Sequence, residues 1–185
     1  VEKGLAGDAV RGAWALNILG LNVTVPYKSE VIPFCSKIDP LAEKIGAVNT
    51  LVRTDGGFLG YNTDMTGLYR AMQEDGVRLE GEEVILLGAG GVGRAVAFLC
   101  AMKGAKRVYL LNRSEQKAAA VAGEVRKKTG RDCICAMKLE DWKQIPKGRR
   151  LTIQATSVGL YPDCGRAVIE EKAFYEKVKT GYDLI

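Results

Sequence analysis

The glycine pattern Gly88-x-Gly90-x-x-Gly93 lies where an apolar run ends and a helical pattern begins. Residues 82–87 are typical of a short strand buried on both faces, and residues 92–102 have the length and composition of a helix. In such a turn Gly88 bends the chain, Gly90 lets backbone approach a pyrophosphate, and Gly93 lets the helix pack closely on the strand. The free N–H groups of the helix start attract phosphates. The pattern therefore predicts a dinucleotide site.

The segments after the glycines support this interpretation. Gly104 is a plausible helix end, and residues 107–111 are typical of a second strand, so strand, turn, helix and strand follow in order. Further helices are predicted over 114–128, near 139–144 and over 170–179, and further strands over 132–137, 151–155 and from 182 to 185. The alternation predicts a doubly wound α/β domain with a parallel sheet. The alternative is a βαβ unit whose glycine turn binds no ligand.

The end of the second strand indicates the type of cofactor. NAD-binding chains usually carry an acid about 20 residues beyond the glycines to bind the ribose 2′-hydroxyl. Here Asn112 and Arg113 occupy that place, and Lys117 follows one helical turn later. A 2′-phosphate needs cations and donors, and a guanidinium offers a planar fork for it. The sequence therefore favours NADP, unless Arg113 and Lys117 are simply solvated surface charges.

Composition excludes several classes of protein. A chain of 185 residues with 47% hydrophobic content can form one large domain or two small ones. The net charge of +5 is scattered, which suits an anionic small ligand better than nucleic acid. No apolar run approaches the ~18 residues of a membrane span, and residues 1–12 do not resemble a signal peptide, so we expect a cytoplasmic protein without a membrane partner.

Cysteine and histidine usage limits the chemistry. The five cysteines include no CxxC pair and are expected to be reduced, buried thiols, and the chain has no histidine, so we predict no metal site.

Because the chain has no histidine, reduction of a carbonyl group would need a different side chain as proton donor. Lys28 follows a predicted strand over 21–25, and Asp64 opens a predicted helix through Glu74. Such a pair can act as acid and base, the carboxylate stabilising the ammonium that protonates the substrate oxygen. The alternatives are a solvated loop lysine and a helix N-cap.

The motifs of the two halves occur together in a known family. In order and spacing, the chain resembles the shikimate dehydrogenases at Leu21–Lys28, Gly46–Thr50, Gly60–Asp64, Gly88–Arg94, Asn112-Arg113 and Ala155–Gly159. The resemblance implies an amino-terminal α/β substrate domain with a connector helix (residues 1–80) and a doubly wound Rossmann NADP-binding domain (residues 81–185), which flank a cleft. It also implies NADP-dependent, reversible reduction of 3-dehydroshikimate to shikimate, a step of chorismate and aromatic amino-acid biosynthesis, by a monomer or a homodimer.

The resemblance also assigns residues by motif. Lys28 and Asp64 would be the catalytic pair, and Thr24 and Asn49 would join them in holding the ring hydroxyls of the substrate. The pyrophosphate would be held by Gly88, Ala89, Gly90, Gly91, Val92 and Gly93. The 2′-phosphate would be held by Asn112, Arg113 and Lys117, and the nicotinamide end would lie along Thr156, Ser157 and Leu160.

The chain departs from the family in several places. Members commonly have Pro-His-Lys and Asn-Ala-Thr-Ser, where this chain has Tyr27 and Gln154 instead. An amino-terminal strand with a serine pair and a carboxyl-terminal segment with a substrate-contacting glutamine have no counterpart here. We therefore expect either a fragment that looks truncated at both ends or a member without the carboxylate grip.

The sequence is compatible with three other functions. One is a quinate/shikimate dehydrogenase with relaxed cofactor choice, although Arg113 argues against it. Another is a non-catalytic NADP-binding regulatory module. The last is a short-chain dehydrogenase, suggested by the spacing of Tyr175 and Lys179, which are more simply a packing aromatic and a surface charge.

Overall fold

The computed structural model describes residues 1–162 and 164–184, and the chain divides into two compact units, Val1–Asp75 and Gly76–Ile185. Each unit has its own sheet. Ile185, the last residue of the strand predicted from 182, lies outside the described residues.

The first unit is a small α/β layer. Its elements are α1 (Ala6–Ala15), β1 (Gly20–Asn22), a 3-10 turn (Ile32–Phe34), β2 (Lys37–Ile38), α2 (Pro40–Ile45), β3 (Thr50–Thr54), β4 (Gly57–Tyr61) and α3 (Thr63–Glu74). The strand order is β1-β3-β4-β2, with β3 antiparallel to β1 and β4, and β2 parallel to β4. The core packs α1 and α2 against the sheet through Ala6, Val10, Ala13, Ala42, Leu51 and Phe58.

Two boundaries in this unit differ from the prediction. The sequence predicts a first helix over residues 4–19, but the helix ends at Ala15. The predicted strand over 21–25 is a strand only at Gly20–Asn22. The chain leaves the helix early because β1 pairs with β3, Gly20 opposite Val52. It leaves the strand early because the N–H of Tyr27 bonds to the carbonyl of Thr24 in a turn. Pairing across the sheet overrode the local preference for helix.

The second unit is a doubly wound domain. Its elements are β5 (Glu83–Leu87), α4 (Gly91–Met102), β6 (Arg107–Asn112), α5 (Glu115–Thr129), β7 (Ile134–Lys138), a 3-10 helix (Leu139–Gln144), β8 (Arg150–Gln154), α6 (Lys172–Tyr175) and β9 (Val178–Asp183). All strands run parallel in the order β7-β6-β5-β8-β9. Helices α4 and α5 pack on one face. The other face buries Ile85, Leu87, Tyr109, Trp142, Ile169 and Phe174.

The prediction of a helix over residues 170–179 is wrong. Only Lys172–Tyr175 is helical, and Val178–Asp183 forms the edge strand β9. The N–H of Arg150 bonds to the carbonyl of Lys177, and β9 then pairs with β8 along its length. The segment has helix-forming Glu, Lys and Ala, but the ladder bonds and the alternation of β9 outweigh that propensity.

The prediction for the thiols is partly wrong. All of the cysteines are free, and Cys100 and Cys133 are buried, but Cys135 and Cys164 are exposed. Burial raises the pKa of the Cys100 thiol to about 12, so this thiol is unreactive near neutral pH. Within the described ranges, no helix is long and apolar enough to cross a membrane.

Candidate active site and dinucleotide site

Lys28 and Asp64 form an ion pair in the first unit. Lys28 Nζ donates to Asp64 Oδ2 at 2.7 Å, and the two side chains remain 30% and 47% exposed. Asp64 lies in the first turn of α3, where the positive end of the helix dipole favours a carboxylate. The helix is capped by Asn62, whose side chain accepts from the N–H of Met65. Asp64 is therefore not the N-cap, and its carboxylate is free for the lysine.

Asn49 holds the other oxygen of the same carboxylate. Its Nδ2 donates to Asp64 Oδ1 at 2.7 Å. Its Oδ1 accepts from the backbone N–H of Thr63 at 2.9 Å and from the hydroxyls of Thr63 and Thr50 at 3.1 and 3.0 Å. Because a backbone N–H can only donate, these contacts determine which way the amide points. The amide therefore presents its donor side to Asp64.

Backbone hydrogen bonds bring the three segments of this cluster together. The N–H of Val48 bonds to the carbonyl of Lys28, and the N–H of Val23 bonds to the carbonyl of Asn49, both at 2.7 Å. The N–H of Asn49 bonds to the carbonyl of Tyr61 at 2.9 Å. The loop that carries the lysine is thereby tied to β3 and to the end of β4. These backbone bonds therefore hold Lys28, Asn49 and Asp64 close together although they are far apart in the sequence.

Thr24 is not part of this network. Its side chain is exposed and makes no hydrogen bond to Lys28 or Asp64 in the part of the chain that the structure describes. A role in substrate binding remains a prediction for this residue.

The glycine loop of the second unit connects β5 with α4. Gly88 has φ +104°, a conformation that side chains rarely adopt, and a Cβ there would lie 2.8 Å from the carbonyl oxygen of Ala155. A Cβ at Gly93 would lie 2.0 Å from the carbonyl oxygen of Gly88, which is the close approach of helix and strand that the sequence predicts. Positions 90 and 91 face open space, since apart from their own chain neighbours and nearby helix backbone no atom of the described residues lies within 4 Å of an added Cβ. The middle of the loop is therefore accessible to a ligand.

The loop lies at the carboxyl edge of the sheet. β6 and β8 flank the central strand β5, so the chain order reverses at this point, where open α/β sheets bind their ligands. The side chain of Asn112, the last residue of β6, accepts from the N–H of Ala89 at 3.2 Å and donates to the carbonyl of Ser114 at 2.8 Å.

Arg113 and Lys117 lie beside this edge and are exposed. Ser114 caps α5 by accepting from the N–H of Lys117. In residues 1–162 and 164–184, neither cation has an ion-pair partner. Two uncompensated cations next to the glycine loop suit an anionic group.

Gln154 organises the loop after β8. Its amide accepts from the N–H of Thr156 and donates to the carbonyl of Val158 at 3.0 Å and, at 3.3 Å, to that of Thr156. The hydroxyl of Thr156 accepts from the N–H of Val158. The predicted nicotinamide-end residues Thr156, Ser157 and Leu160 therefore belong to one compact turn. A bond from the N–H of Leu160 to the carbonyl of Ser157 closes that turn.

An ion pair joins α4, the helix that follows the glycine loop, to α5. Arg94, at the end of the glycine motif, binds Glu124 with two hydrogen bonds of 2.7 and 2.5 Å, and Lys128 contacts the same carboxylate at 2.9 Å. The hydrogen bond from Arg94, reinforced by Lys128, lowers the pKa of Glu124 from 4.5 to about 2. The pair holds α4 against α5.

Some residues of both sites were not predicted from the sequence. Thr50 and Thr63, which orient Asn49, were not singled out although they lie inside the motifs GAVNT and GYNTD. Glu124 was not predicted because its partner lies 30 residues away on another helix and leaves no local pattern.

The parallel sheet and its glycine loop define a protein of the Rossmann dinucleotide-binding class. The sequence matches two family models, described as "Shikimate dehydrogenase substrate binding domain" over residues 1–51 and "Shikimate / quinate 5-dehydrogenase" over residues 70–159. The chain belongs to the shikimate dehydrogenase family.

Known relatives agree with this assignment. Shikimate dehydrogenase (NADP(+)) from Bacillus cereus (strain B4264) is 41% identical over 163 residues, which are 88% of this chain and 58% of that protein. Shikimate 5-dehydrogenase from Listeria monocytogenes, solved with shikimate and NAD, is 31% identical with a TM-score of 0.84, covering 94% of this chain and 62% of that one. Shikimate 5-dehydrogenase from Thermus thermophilus, solved with NADP(H) and shikimate, is 32% identical with a TM-score of 0.79, covering 100% and 64%. The chain thus spans about three fifths of the length of these relatives.

Proposed function

We propose that this chain carries the proton-transfer and cofactor-binding residues of an NADP-dependent shikimate dehydrogenase, which reversibly reduces 3-dehydroshikimate to shikimate. The first unit would hold the substrate and the second unit the cofactor. The observation that carries the proposal is the contact of Lys28 and Asn49 with the two oxygens of Asp64, at 2.7 Å each. The names of the relatives support the choice of substrate.

The residues of the second unit fit a dinucleotide. An added Cβ at Gly90 or Gly91 would meet no atom of another described segment, so backbone N–H groups at the start of α4 are accessible to a pyrophosphate. Arg113 and Lys117, which have no ion-pair partner among the described residues, offer positive charge for a 2′-phosphate. When bound, the reduced nicotinamide supplies the hydride for the carbonyl carbon.

The residues of the first unit supply the proton. As hydride arrives at the carbonyl carbon, negative charge develops on the carbonyl oxygen, and the ammonium of Lys28 donates a proton to it. The carboxylate of Asp64 fixes the position of Nζ through Oδ2. In the reverse direction the neutral amine of Lys28 takes the hydroxyl proton as hydride leaves the carbon. No histidine is needed for this chemistry.

The proposal is tested by following the absorbance of reduced cofactor as the chain is incubated with NADP and shikimate. Lys28→Ala and Asp64→Ala should each lower turnover by at least about 100-fold, the size of a general-acid contribution, while NADP affinity measured by calorimetry stays within about two-fold. Lys37→Ala, an exposed lysine of the same unit, is the matched control. Binding of NADP without turnover in the wild type would instead support a non-catalytic NADP-binding module.

Cofactor and substrate choice are measured in the same assay with NAD and with quinate. Arg113→Ala should weaken NADP binding by about 10-fold or more and leave NAD binding nearly unchanged, because a charge-assisted contact to the 2′-phosphate is lost. Lys147→Ala, which removes an exposed lysine before β8, should change neither. Equal use of NADP and NAD, or faster turnover with quinate, would favour a quinate/shikimate dehydrogenase with relaxed cofactor choice.

A further inference from the structure

Asn112 has both of its side-chain polar atoms engaged within the protein. Oδ1 accepts from the N–H of Ala89 at 3.2 Å, and Nδ2 donates to the carbonyl of Ser114 at 2.8 Å. A backbone N–H can only donate and a carbonyl can only accept, so these partners determine the orientation of the amide. Nδ2 carries a second N–H besides the one that binds Ser114. The two bonds nevertheless fix the position of the amide before any ligand arrives.

The two partners of Asn112 belong to different parts of the cofactor site. Ala89 lies in the glycine loop, directly before Gly90, which faces open space. Ser114 is the N-cap of α5 and follows Arg113. The N–H of Gly88 also bonds to the carbonyl of Leu111, so the bend after β5 is attached to β6 at two neighbouring points. The amide of Asn112 is therefore a bridge between the glycine loop and the turn that carries the arginine.

We propose that Asn112 is a positioning residue that holds the glycine loop ready for the pyrophosphate of any dinucleotide, with or without a 2′-phosphate. The inference rests on the proposed function, since it concerns the same cofactor site. A loop that is held in its binding conformation loses less freedom on binding, so the bridge strengthens binding of any dinucleotide that uses the loop. The charges of Arg113 and Lys117, which form no ion pair within the described residues, would add affinity only for the dinucleotide that carries a 2′-phosphate.

The experiment compares Asn112→Ala with the wild-type chain by calorimetric titration with NADP, NAD and ADP. ADP carries a pyrophosphate but neither a 2′-phosphate nor a nicotinamide. The variant should bind all three about five-fold more weakly, as expected for the loss of one net hydrogen bond, so the ratio of the NADP and NAD dissociation constants should stay the same. Gln144→Ala removes an exposed hydrogen bond before β8 and should change none of them.

A second measurement does not depend on cofactor binding. Hydrogen exchange of the Ala89 amide in the cofactor-free chain should accelerate in Asn112→Ala, because its acceptor is removed, while exchange in the core of β5 stays slow. Unchanged exchange at Ala89 would overturn the bridge. Weaker binding of NADP alone, with NAD and ADP unaffected, would show direct recognition of the 2′-phosphate and also overturn the inference. If the wild type binds none of the three ligands, the proposed function and the cofactor role of Asn112 both fail, and faster exchange then supports only the bridge.

Discussion

Asn49 and Asp64 are joined by a hydrogen bond of 2.7 Å from Nδ2 to Oδ1, and the same carboxylate accepts from Lys28 through its other oxygen. Asn49 cannot turn its amide over, because its Oδ1 accepts from the N–H of Thr63. Both carboxylate oxygens of Asp64 are therefore held by hydrogen bonds, and the ammonium group of Lys28 has one preferred position.

This relationship predicts the effect of Asn49→Asp, a change that keeps the size of the side chain. The new carboxylate would face Asp64 without a donor, and two like charges would repel at hydrogen-bond distance. We expect turnover near neutral pH to fall by about 100-fold and to recover partly as the pH is lowered, because one protonated carboxyl can again donate. Rates measured across pH test this, with Asn17→Asp as a matched control at an exposed asparagine. A flat loss at every pH would contradict the explanation.

The glycine loop predicts opposite outcomes for two Gly→Ala changes. At Gly93 the added Cβ would lie 2.0 Å from the carbonyl oxygen of Gly88, so Gly93→Ala should lower the free energy of unfolding by at least about 2 kcal/mol. At Gly90 the Cβ meets no atom and φ is −77°, so Gly90→Ala should leave stability almost unchanged. It should nevertheless weaken NADP binding, because the methyl group points into accessible space at the start of α4. Urea denaturation and calorimetry measure the two effects. Full NADP affinity in Gly90→Ala would place the pyrophosphate elsewhere.

The ion pair of Arg94 and Glu124 predicts a pH-dependent contribution to stability. The pKa of Glu124 is lowered from 4.5 to about 2, so its carboxylate stabilises the folded state fully above pH 4.5. That contribution is lost as the pH falls from 4.5 toward 2, because the unfolded chain takes up the proton first.

Glu124→Gln should accordingly lower the free energy of unfolding at neutral pH by about 2 kcal/mol, the value of a charge-assisted hydrogen bond. The difference from wild type should shrink as the pH is lowered below 4.5. Urea denaturation at a series of pH values measures it, and Glu140→Gln serves as the control at an exposed glutamate. A difference that is independent of pH would show that the charge of Glu124 is not the cause.

The hydrogen bonds of Gln154, a residue at which the chain departs from its family, predict the effect of replacing it. Gln154→Ala removes the hydrogen bonds to residues 156 and 158, and the loosened turn should raise the KM for NADP by about five-fold. Gln154→Asn retains an amide and should keep the KM within about two-fold of wild type. Steady-state kinetics with varied NADP distinguish the two, and equal values for all three proteins would mean that the turn is held without this side chain.

Local sequence signals were sufficient where an element is specified by its own residues. The strand, turn and helix around Gly88 and Gly93 form as predicted because the apolar run, the glycines and the helix-forming residues all act over short distances. They were insufficient near both ends of the chain. Residues 16–19 and 176–179 have helical composition, but α1 ends at Ala15 and α6 at Tyr175, because distant strands offer hydrogen bonds to β1 and β9, which follow them. A pattern over neighbouring residues carries no information about such a partner.

The two sites show the same division. The sequence by itself determined the types of residue present: a glycine loop, Arg113 without an acid, and a Lys and an Asp in a chain without histidine. Only the tertiary structure decided which of them meet. The contacts of Lys28 and Asn49 with Asp64 depend on backbone bonds between three segments, and the contact of Asn112 with Ala89 depends on the pairing of β5 with β6. Composition and spacing specify chemistry, whereas geometry arises when the sheet and core bring distant side chains within hydrogen-bond distance.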